Sequence, residues 1–171
     1  AKLFAQIINN APIDIFLSAD QLTIKKLPEN KKIQGSEFTY AIGKLVIFSK
    51  TKILKQLRLK KFFSQTLSNK IVIGNPKFSP YGLASKQVLE SLGIWSLFKN
   101  KIILASNINQ VSSFIYSGNT DLGIISNSDK LKLEKYKFGY FKEIPQNLYS
   151  PIKQDVILLE RDKLTSGTTW H

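Results

Sequence analysis

Residues Gly74–Ala84 read GNPKFSPYGLA, and the fold follows from what flanks them. The run Lys70–Ile73 in front predicts a buried strand, and the residues behind predict a helix over Tyr81–Leu92. Ser79 is a typical N-cap residue, and Pro80 suits the first helical turn. The first amides of a helix have no partner within it, and the helix dipole favours negative charge there, so this arrangement predicts an anion site. The alternative is an ordinary strand–loop–helix whose N-terminus binds only its cap and water.

Outside this stretch, helical and extended segments alternate along the chain. Such alternation is typical of an α/β protein with mostly parallel sheet flanked by helices. Gly43 lies inside the longest extended segment and indicates a bend or a close backbone approach. The other predicted helices are Leu3–Asn9, Gln21–Pro28, Ile53–Leu57, Leu59–Leu67, Trp95–Phe98 and Ile108–Ser117, and the other predicted strands are Ile13–Leu17, Phe38–Phe48, Ile102–Leu104, Asp121–Ile125, Tyr140–Ile144 and Gln154–Leu159.

Composition argues against several classes of site. The 171 residues include no cysteine and one histidine, His171, so disulfides and thiolate metal sites are excluded and a Ser–His–Asp triad has no support. The net charge of +13 comes from basic residues spread along the chain, densest over Lys50–Lys61, where Leu54 and Leu57 interleave. This pattern favours a solvated amphipathic helix face over a nucleic-acid footprint, so no nucleic-acid partner is expected.

A second predicted helix also begins with a capping residue directly after a short apolar strand. The strand Ile102–Leu104 is followed by Ser106 and Asn107, which predict the cap of the helix that begins at Ile108. Ligands in open α/β sheets bind at the carboxyl ends of strands, so the two helix starts are expected to offer N–H donors to one oxyanion. Ser126 and Asn127 follow a third strand and either add polar ligands or form an ordinary turn.

Several short blocks follow one another in a fixed order. Ala11–Asp20 reads APIDIFLSAD and Phe38–Val46 reads FTYAIGKLV. Later blocks are GNP at 74–76, PYG at 80–82, LGIW at 92–95, NI at 107–108, GN at 118–119, LG at 122–123 and YSPIKQD at 149–155. In their order and spacing, over about residues 1–160, these blocks resemble those of the periplasmic molybdate-binding proteins of molybdate ABC transporters.

The resemblance implies a two-lobed type II periplasmic-binding-protein fold that closes on molybdate or tungstate without a metal ion or a cofactor. By position, the amides of Tyr81 and Ile108 would donate to the anion, the Tyr81 side chain would help close the site, and Ser126 is a weaker ligand candidate. The lobes would be 1–41 with 152–171, and 42–151. The family further implies a membrane permease as partner and a periplasmic or lipid-anchored location, with no signal peptide in this chain, and a binding protein rather than an enzyme.

The chain also departs from the family pattern. It has no counterpart of the family's first strand and helix, which carry an anion-binding serine or threonine. A second ligand serine, expected just before Ala1, also has no counterpart. The helices expected after Leu158–Leu159 are missing as well. We therefore expect an incomplete first lobe, weaker anion binding, and self-association through exposed apolar sheet. Sulfate or phosphate as the ligand, and an anion-sensing regulatory domain, stay open as alternatives. An enzyme has little support because the carboxylates are scattered and no Gly-rich phosphate loop is present.

Overall fold

The computed structural model describes residues 2–160. These residues form two compact units, one made of residues 2–42 and 153–160 and the other of residues 43–152. Each unit contains a sheet with helices packed against it, so the predicted α/β class is confirmed. No helix in the described part of the chain is long and apolar enough to cross a membrane.

The helices and strands alternate as follows. The strands are β1 (Ile15–Ser18), β2 (Phe38–Gly43), β3 (Leu45–Ser49), β4 (Ile71–Gly74), β5 (Ile102–Ala105), β6 (Leu122–Ser126), β7 (Tyr140–Glu143) and β8 (Ile152–Leu158). The α-helices are α1 (Lys2–Ile8), α2 (Gln21–Lys25), α3 (Leu59–Gln65), α4 (Pro80–Ser91), α5 (Trp95–Phe98), α6 (Ile108–Tyr116) and α7 (Asn127–Lys135), and short 3₁₀ turns cover Glu29–Lys31, Lys52–Lys55 and Gln146–Leu148.

The unit of residues 2–42 and 153–160 is built on a three-stranded sheet in the order β1-β8-β2. β1 and β8 are antiparallel, with Ile15 opposite Leu158 and Ser18 opposite Asp155. One face of this sheet forms an apolar core with the first two helices, to which Ile7, Phe16, Ile24, Leu27, Ile157 and Leu159 contribute. The Asp20 side chain caps α2 by accepting the Thr23 N–H at 2.7 Å.

A buried carboxylate links the strands of this unit to α2. Asp155 on β8 accepts hydrogen bonds from Gln21 Nε2 at 2.7 Å and from Thr39 Oγ1 at 2.6 Å. Its side chain is buried, so these donors replace the water that a carboxylate otherwise requires. Asp155 therefore fixes β2, β8 and the start of α2 to one another.

The unit of residues 43–152 is built on a five-stranded sheet in the order β5-β4-β6-β3-β7. β4 is parallel to both β5 and β6, whereas β3 is antiparallel to β6 and to β7. The expected mostly parallel pairing is therefore wrong in detail, because two of these four strand pairs are antiparallel and β1 and β8 of the other unit are antiparallel as well. Alternation of helices and strands along the sequence does not reveal the direction in which β3 and β7 cross the sheet.

Helices cover both faces of the five-stranded sheet. Ile47, Ile73 and Leu89 belong to the core on one side, with α3, α4 and α5, and Val72 and Ile115 belong to the core on the other side, with α6 and α7. Every residue of β3, β4 and β6 is buried. Strands buried on both faces are continuously apolar, which explains runs such as LVIF and IVI.

Three predicted segments differ from the structure. The predicted strand Phe38–Phe48 is two strands, β2 and β3, which belong to different sheets and meet at Lys44. The predicted helix Ile53–Leu57 is a 3₁₀ turn over Lys52–Lys55, so the basic segment Lys50–Lys61 is not one amphipathic helix face. Helix α7 was not predicted, because its sequence NSDKLKLEK buries only Asp129 and Leu133 and lacks an apolar stripe.

The first turn of α4 lies directly on the end of β4. A Cβ placed on Gly82 would lie 2.3 Å from the Gly74 carbonyl oxygen and 2.7 Å from the Asn75 carbonyl carbon. These are backbone atoms that cannot rotate away, so only glycine lets the helix approach the strand this closely. Gly82 therefore sets the distance between the helix start and the sheet edge.

We expect Gly82→Ala to lower the free energy of unfolding by about 1–3 kcal/mol, because the methyl group forces the helix away from the strand. Leu83→Ala is the matched control, since Leu83 is the next residue of the helix and its side chain is exposed; it should cost less than about 1 kcal/mol. Urea unfolding followed by tryptophan fluorescence measures both, and equal losses would contradict the role of Gly82.

Candidate functional site

Three parallel strands of the 43–152 unit end at the same edge of the sheet. Gly74 of β4 lies opposite Ala105 of β5, and Val72 of β4 lies opposite Gly123 of β6. The loops and helix starts that follow these strands, residues 75–81, 106–109 and 126–129, are called here the carboxyl edge. The predicted site residues Tyr81, Ile108 and Ser126 are all brought to this edge, although their roles differ.

The first turn of α4 is capped by Ser79. Ser79 Oγ accepts the Gly82 N–H at 3.2 Å, and the Ser79 carbonyl accepts the Leu83 N–H at 2.9 Å. Pro80 has no N–H. Tyr81 is the second residue of the helix, so its N–H lies at the positive end of the helix dipole.

The loop that leads into α4 is held in place by Asn75. Its side-chain oxygen accepts the Lys77 N–H at 2.9 Å, and its own N–H donates to the Ala105 carbonyl at 2.7 Å. The second bond ties the loop after β4 to the end of β5, which is the strand that leads into α6. The two helix starts are thus positioned by a shared backbone contact.

The start of α6 is capped in the same way, with a reciprocal bond. Asn107 Oδ1 accepts the Gln110 N–H at 3.0 Å, and Gln110 Oε1 accepts the Ser106 N–H at 2.6 Å. This arrangement resembles a capping box, and the spacing Asn107-x-x-Gln110 was a signal for it in the sequence. The cap does not use the N–H groups of Ile108 and Asn109, the first two residues of the helix. Ile108 was predicted as a donor, whereas Asn109 is a further candidate donor that was not predicted from the sequence.

The Tyr81 side chain reaches the point where the chain enters β3. A Cβ on Gly43 would lie 2.5 Å from Tyr81 Oη and 2.9 Å from Cζ, so the tyrosine ring lies over the bare Gly43 backbone. The ring is half-buried and packs against the core on the α4 side. This contact is the reason for a glycine inside the extended segment.

Ser126 has a structural role that conflicts with its candidacy as a ligand. It is the N-cap of α7, accepts the Asp129 N–H at 3.1 Å, and donates its own proton to Asp129 Oδ2 at 2.9 Å. Both residues are 3% exposed, so a buried carboxylate lies beside this hydroxyl and repels an anion. The structure therefore shows Ser126 as a cap, for which the Ser126-x-x-Asp129 spacing was the sequence signal, and its role as a ligand stays a prediction.

The donors at the carboxyl edge are almost entirely neutral. In segments 75–81 and 106–109, Lys77 is the single charged residue. No group of three or more His, Asp or Glu residues within 2–160 comes together in a way that could hold a metal ion. The chemistry available at this edge is therefore hydrogen-bond donation from backbone amides at two helix starts, which suits an oxyanion.

Comparisons with known proteins identify relatives of this chain. Residues 1–165 match the family model described as bacterial extracellular solute-binding protein. The chain is 39% identical over 164 residues to the molybdate-binding protein ModA of Azotobacter vinelandii, and 35% identical over 160 residues to ModA of Rhodobacter capsulatus. The solved structure of the Azotobacter vinelandii periplasmic molybdate-binding protein matches with a TM-score of 0.74 and 34% identity, covering 92% of this chain and 69% of that one.

The two ModA relatives are matched over most of this chain but over less of their own length. The match covers 94% and 93% of this chain, and 64% and 62% of the Azotobacter and Rhodobacter proteins respectively. The family model, in contrast, accounts for all but the last six of the 171 residues. The chain belongs to the family of bacterial extracellular solute-binding proteins.

Proposed function

We propose that this chain is a substrate-binding component of an ABC importer and that it binds the tetrahedral dianion molybdate or tungstate. The observation that carries the proposal is the pair of capped helix starts, α4 and α6, at one edge of the sheet. The amides of Tyr81, Ile108 and Asn109 would donate to the anion oxygens, and the Tyr81 ring would cover the site. The names of the ModA relatives support molybdate as the ligand.

The chemistry of the edge favours an anion that carries no proton. Amides only donate hydrogen bonds, so each anion oxygen that meets them must be a pure acceptor. Phosphate keeps a proton near neutral pH and would need an acceptor, whereas molybdate, tungstate and sulfate do not. Sulfate is the remaining alternative by shape and charge, and the ModA relatives favour molybdate over it.

The rest of the functional assignment follows from the family. A solute-binding protein acts outside the cytoplasmic membrane and delivers its ligand to a membrane permease, so we propose that location and that partner for this chain. We further propose that the unit of residues 43–152 is the second lobe and that residues 2–42 with 153–160 belong to the first. The proposed role is binding and delivery, with no bond of the anion made or broken.

We expect saturable binding of molybdate and tungstate by the 171-residue chain. Charge-assisted hydrogen bonds contribute about 1.5–3 kcal/mol each, so several amide donors to one dianion give measurable affinity. Isothermal titration calorimetry measures the binding, with nitrate as the control anion. Binding of sulfate without binding of molybdate would contradict the ligand assignment.

We expect Asn107→Asp to weaken molybdate binding at least about tenfold, since it places a negative charge beside the Ile108 amide. Asparagine, aspartate and serine are comparable N-caps, so Asn107→Ser is the matched control: it keeps the cap and adds no charge. Titration of both variants, with thermal unfolding to verify that α6 stays capped, tests the site. Equal affinities for the two variants would place the anion away from α6.

We also propose that the chain self-associates through the second face of the three-stranded sheet. Tyr40 Oη donates to Gln154 Oε1 at 3.3 Å, so Tyr40 of β2 and Gln154 of β8 lie on the same face of the sheet. Side chains alternate along a strand, so Val156 and Leu158 lie on that face as well. The register places Ile15 and Leu17 on the same face. This open face therefore carries the exposed side chains Ile15, Leu17, Phe38, Tyr40, Ile42 and Leu158.

A second copy of the chain is the occupant that we propose for this open face. Contiguous apolar patches of this kind are rare on monomeric proteins. β1 lies at the end of its sheet within the described residues, so its outer edge offers backbone groups for pairing. A two-fold contact brings identical apolar patches together without requiring any other partner.

Leu17→Lys should shift the chain from dimer to monomer at micromolar concentration, because a charge on the open face must be desolvated in the dimer. Leu131→Lys is a closely matched control, since both leucines are 55% exposed and Leu131 lies on α7 in the other unit. Light scattering coupled to size exclusion measures the mass. A monomeric parent chain, or a dimer that survives Leu17→Lys, would contradict this proposal.

A further inference from the structure

A second concave site lies at the opposite end of the five-stranded sheet. We name it the lysine pocket; it is an open concavity of about 550 Å³ lined by Lys50, Lys55, Lys137, Gly139 and Tyr140. Leu45 of β3 pairs with Ser126 at the carboxyl edge, whereas Ser49 pairs with Leu122 at the other end of β3. At about 3.3 Å per residue, the length of β3 separates the two sites by about 13 Å.

The turn between α7 and β7 forms one wall of the lysine pocket. Gly139 has a φ of +70°, and a Cβ there would lie 2.6 Å from the Ser49 carbonyl oxygen and 2.5 Å from the Phe48 ring. Glycine therefore lets this turn lie directly on the end of β3. Lys137 on the turn is thereby brought to the same concavity as Lys50, the residue that follows β3.

Within residues 2–160, Lys50 has an ion-pair partner, and no ion pair joins Lys55 or Lys137 to a carboxylate. Lys50 Nζ donates to the Gly118 carbonyl at 2.8 Å and lies 3.5 Å from Asp121 Oδ1, which is its ion-pair partner. Lys55 Nζ lies 5.9 Å from the centroid of the Tyr140 ring, a cation–π contact that fixes the ammonium without neutralising it. Asp121 is thus paired with Lys50 alone, and none of the residues that line the pocket is acidic.

Size and charge together define the class of ligand. Cavities of about 300–1,000 Å³ are typical of small-molecule sites, and a single tetrahedral oxyanion fills only a small part of this one. Lysine is a common phosphate binder that acts as a point charge, and several lysines around one concavity favour a compact anion of high charge. We infer that the lysine pocket binds a multiply charged phosphate compound, at a site separate from the carboxyl edge.

This chemistry has two sources, a soluble polyphosphorylated molecule and the headgroup of an anionic phospholipid. Both present phosphoryl oxygens to the lysines, and they differ in whether the ligand is presented by a bilayer. Sodium pyrophosphate is the probe for the first source. Vesicles of phosphatidylglycerol, compared with vesicles of phosphatidylcholine, are the probe for the second.

The test uses the 171-residue chain and two double variants of equal charge. Lys55→Gln with Lys137→Gln removes two cations from the lysine pocket, and Lys61→Gln with Lys99→Gln removes two exposed cations that do not line it. At physiological salt we expect the pocket variant to bind pyrophosphate at least about tenfold more weakly, and the control to stay within about twofold of the parent, because each lost charge-assisted contact weakens binding. Molybdate affinity should not change in either variant.

The outcomes separate this inference from the proposed function. Loss of pyrophosphate binding in the pocket variant alone supports a soluble ligand, and loss of phosphatidylglycerol vesicle binding in that variant alone supports a lipid headgroup. Equal binding by the two double variants, or no binding of either probe by the parent chain, overturns the inference. Pyrophosphate binding that is weakened by Asn107→Asp but not by the pocket variant also overturns it, since the anion would then lie at the carboxyl edge. Failure of molybdate binding leaves these readouts unaffected.

Discussion

Contact between the first turn of α4 and the end of β4 controls the geometry of the carboxyl edge. The Cα of Gly82 lies so close to the Gly74 carbonyl that a methyl group would not fit between them. A residue with a side chain here would lift the whole helix start, and with it the Tyr81 amide and the Ser79 cap. Because Asn75 also bonds to the Ala105 carbonyl, movement at this point would reach the strand that leads into α6. One glycine thus sets the positions of donors that come from two helices.

Capping decides which amides are left for a ligand. At both α4 and α6 the cap side chain accepts the third amide of the helix, Gly82 and Gln110 respectively. The amides ahead of it point out of the helix and carry the partial positive charge of the dipole. At α7 the cap is accompanied by a buried carboxylate, Asp129, which places negative charge at that helix start. The edge therefore contains two helix starts suited to an anion and one that is already neutralised from within.

The sequence predicts much of this edge because its signals are local. Ser79, Pro80 and Asn107 identify two helix starts through their own backbone preferences, and the apolar runs before them identify the strands. The antiparallel direction of β3 and the break at Lys44 were not predictable in this way, since both depend on which sheet each half of Phe38–Phe48 joins. Helix α7 was missed because its stability comes from a cap and two buried residues rather than from a periodic apolar face. The capping role of Ser126 was missed for the same reason, because its contact with Asp129 follows only once the helix is recognised.

The two anion sites proposed for this chain lie at opposite ends of one sheet and differ in their chemistry. At the carboxyl edge, oriented backbone dipoles would donate from fixed positions, so they would select by geometry and add little net charge. At the lysine pocket, flexible side chains carry full charges, so they would select by total charge and adapt to shape. Full charges on exposed side chains are screened by salt. If a small dianion binds at the carboxyl edge as proposed, the +13 charge of the chain does not indicate its site. The basic segment Lys50–Lys61 supplies two of the three lysines of the lysine pocket, while segments 75–81 and 106–109 of the carboxyl edge contain one charged residue.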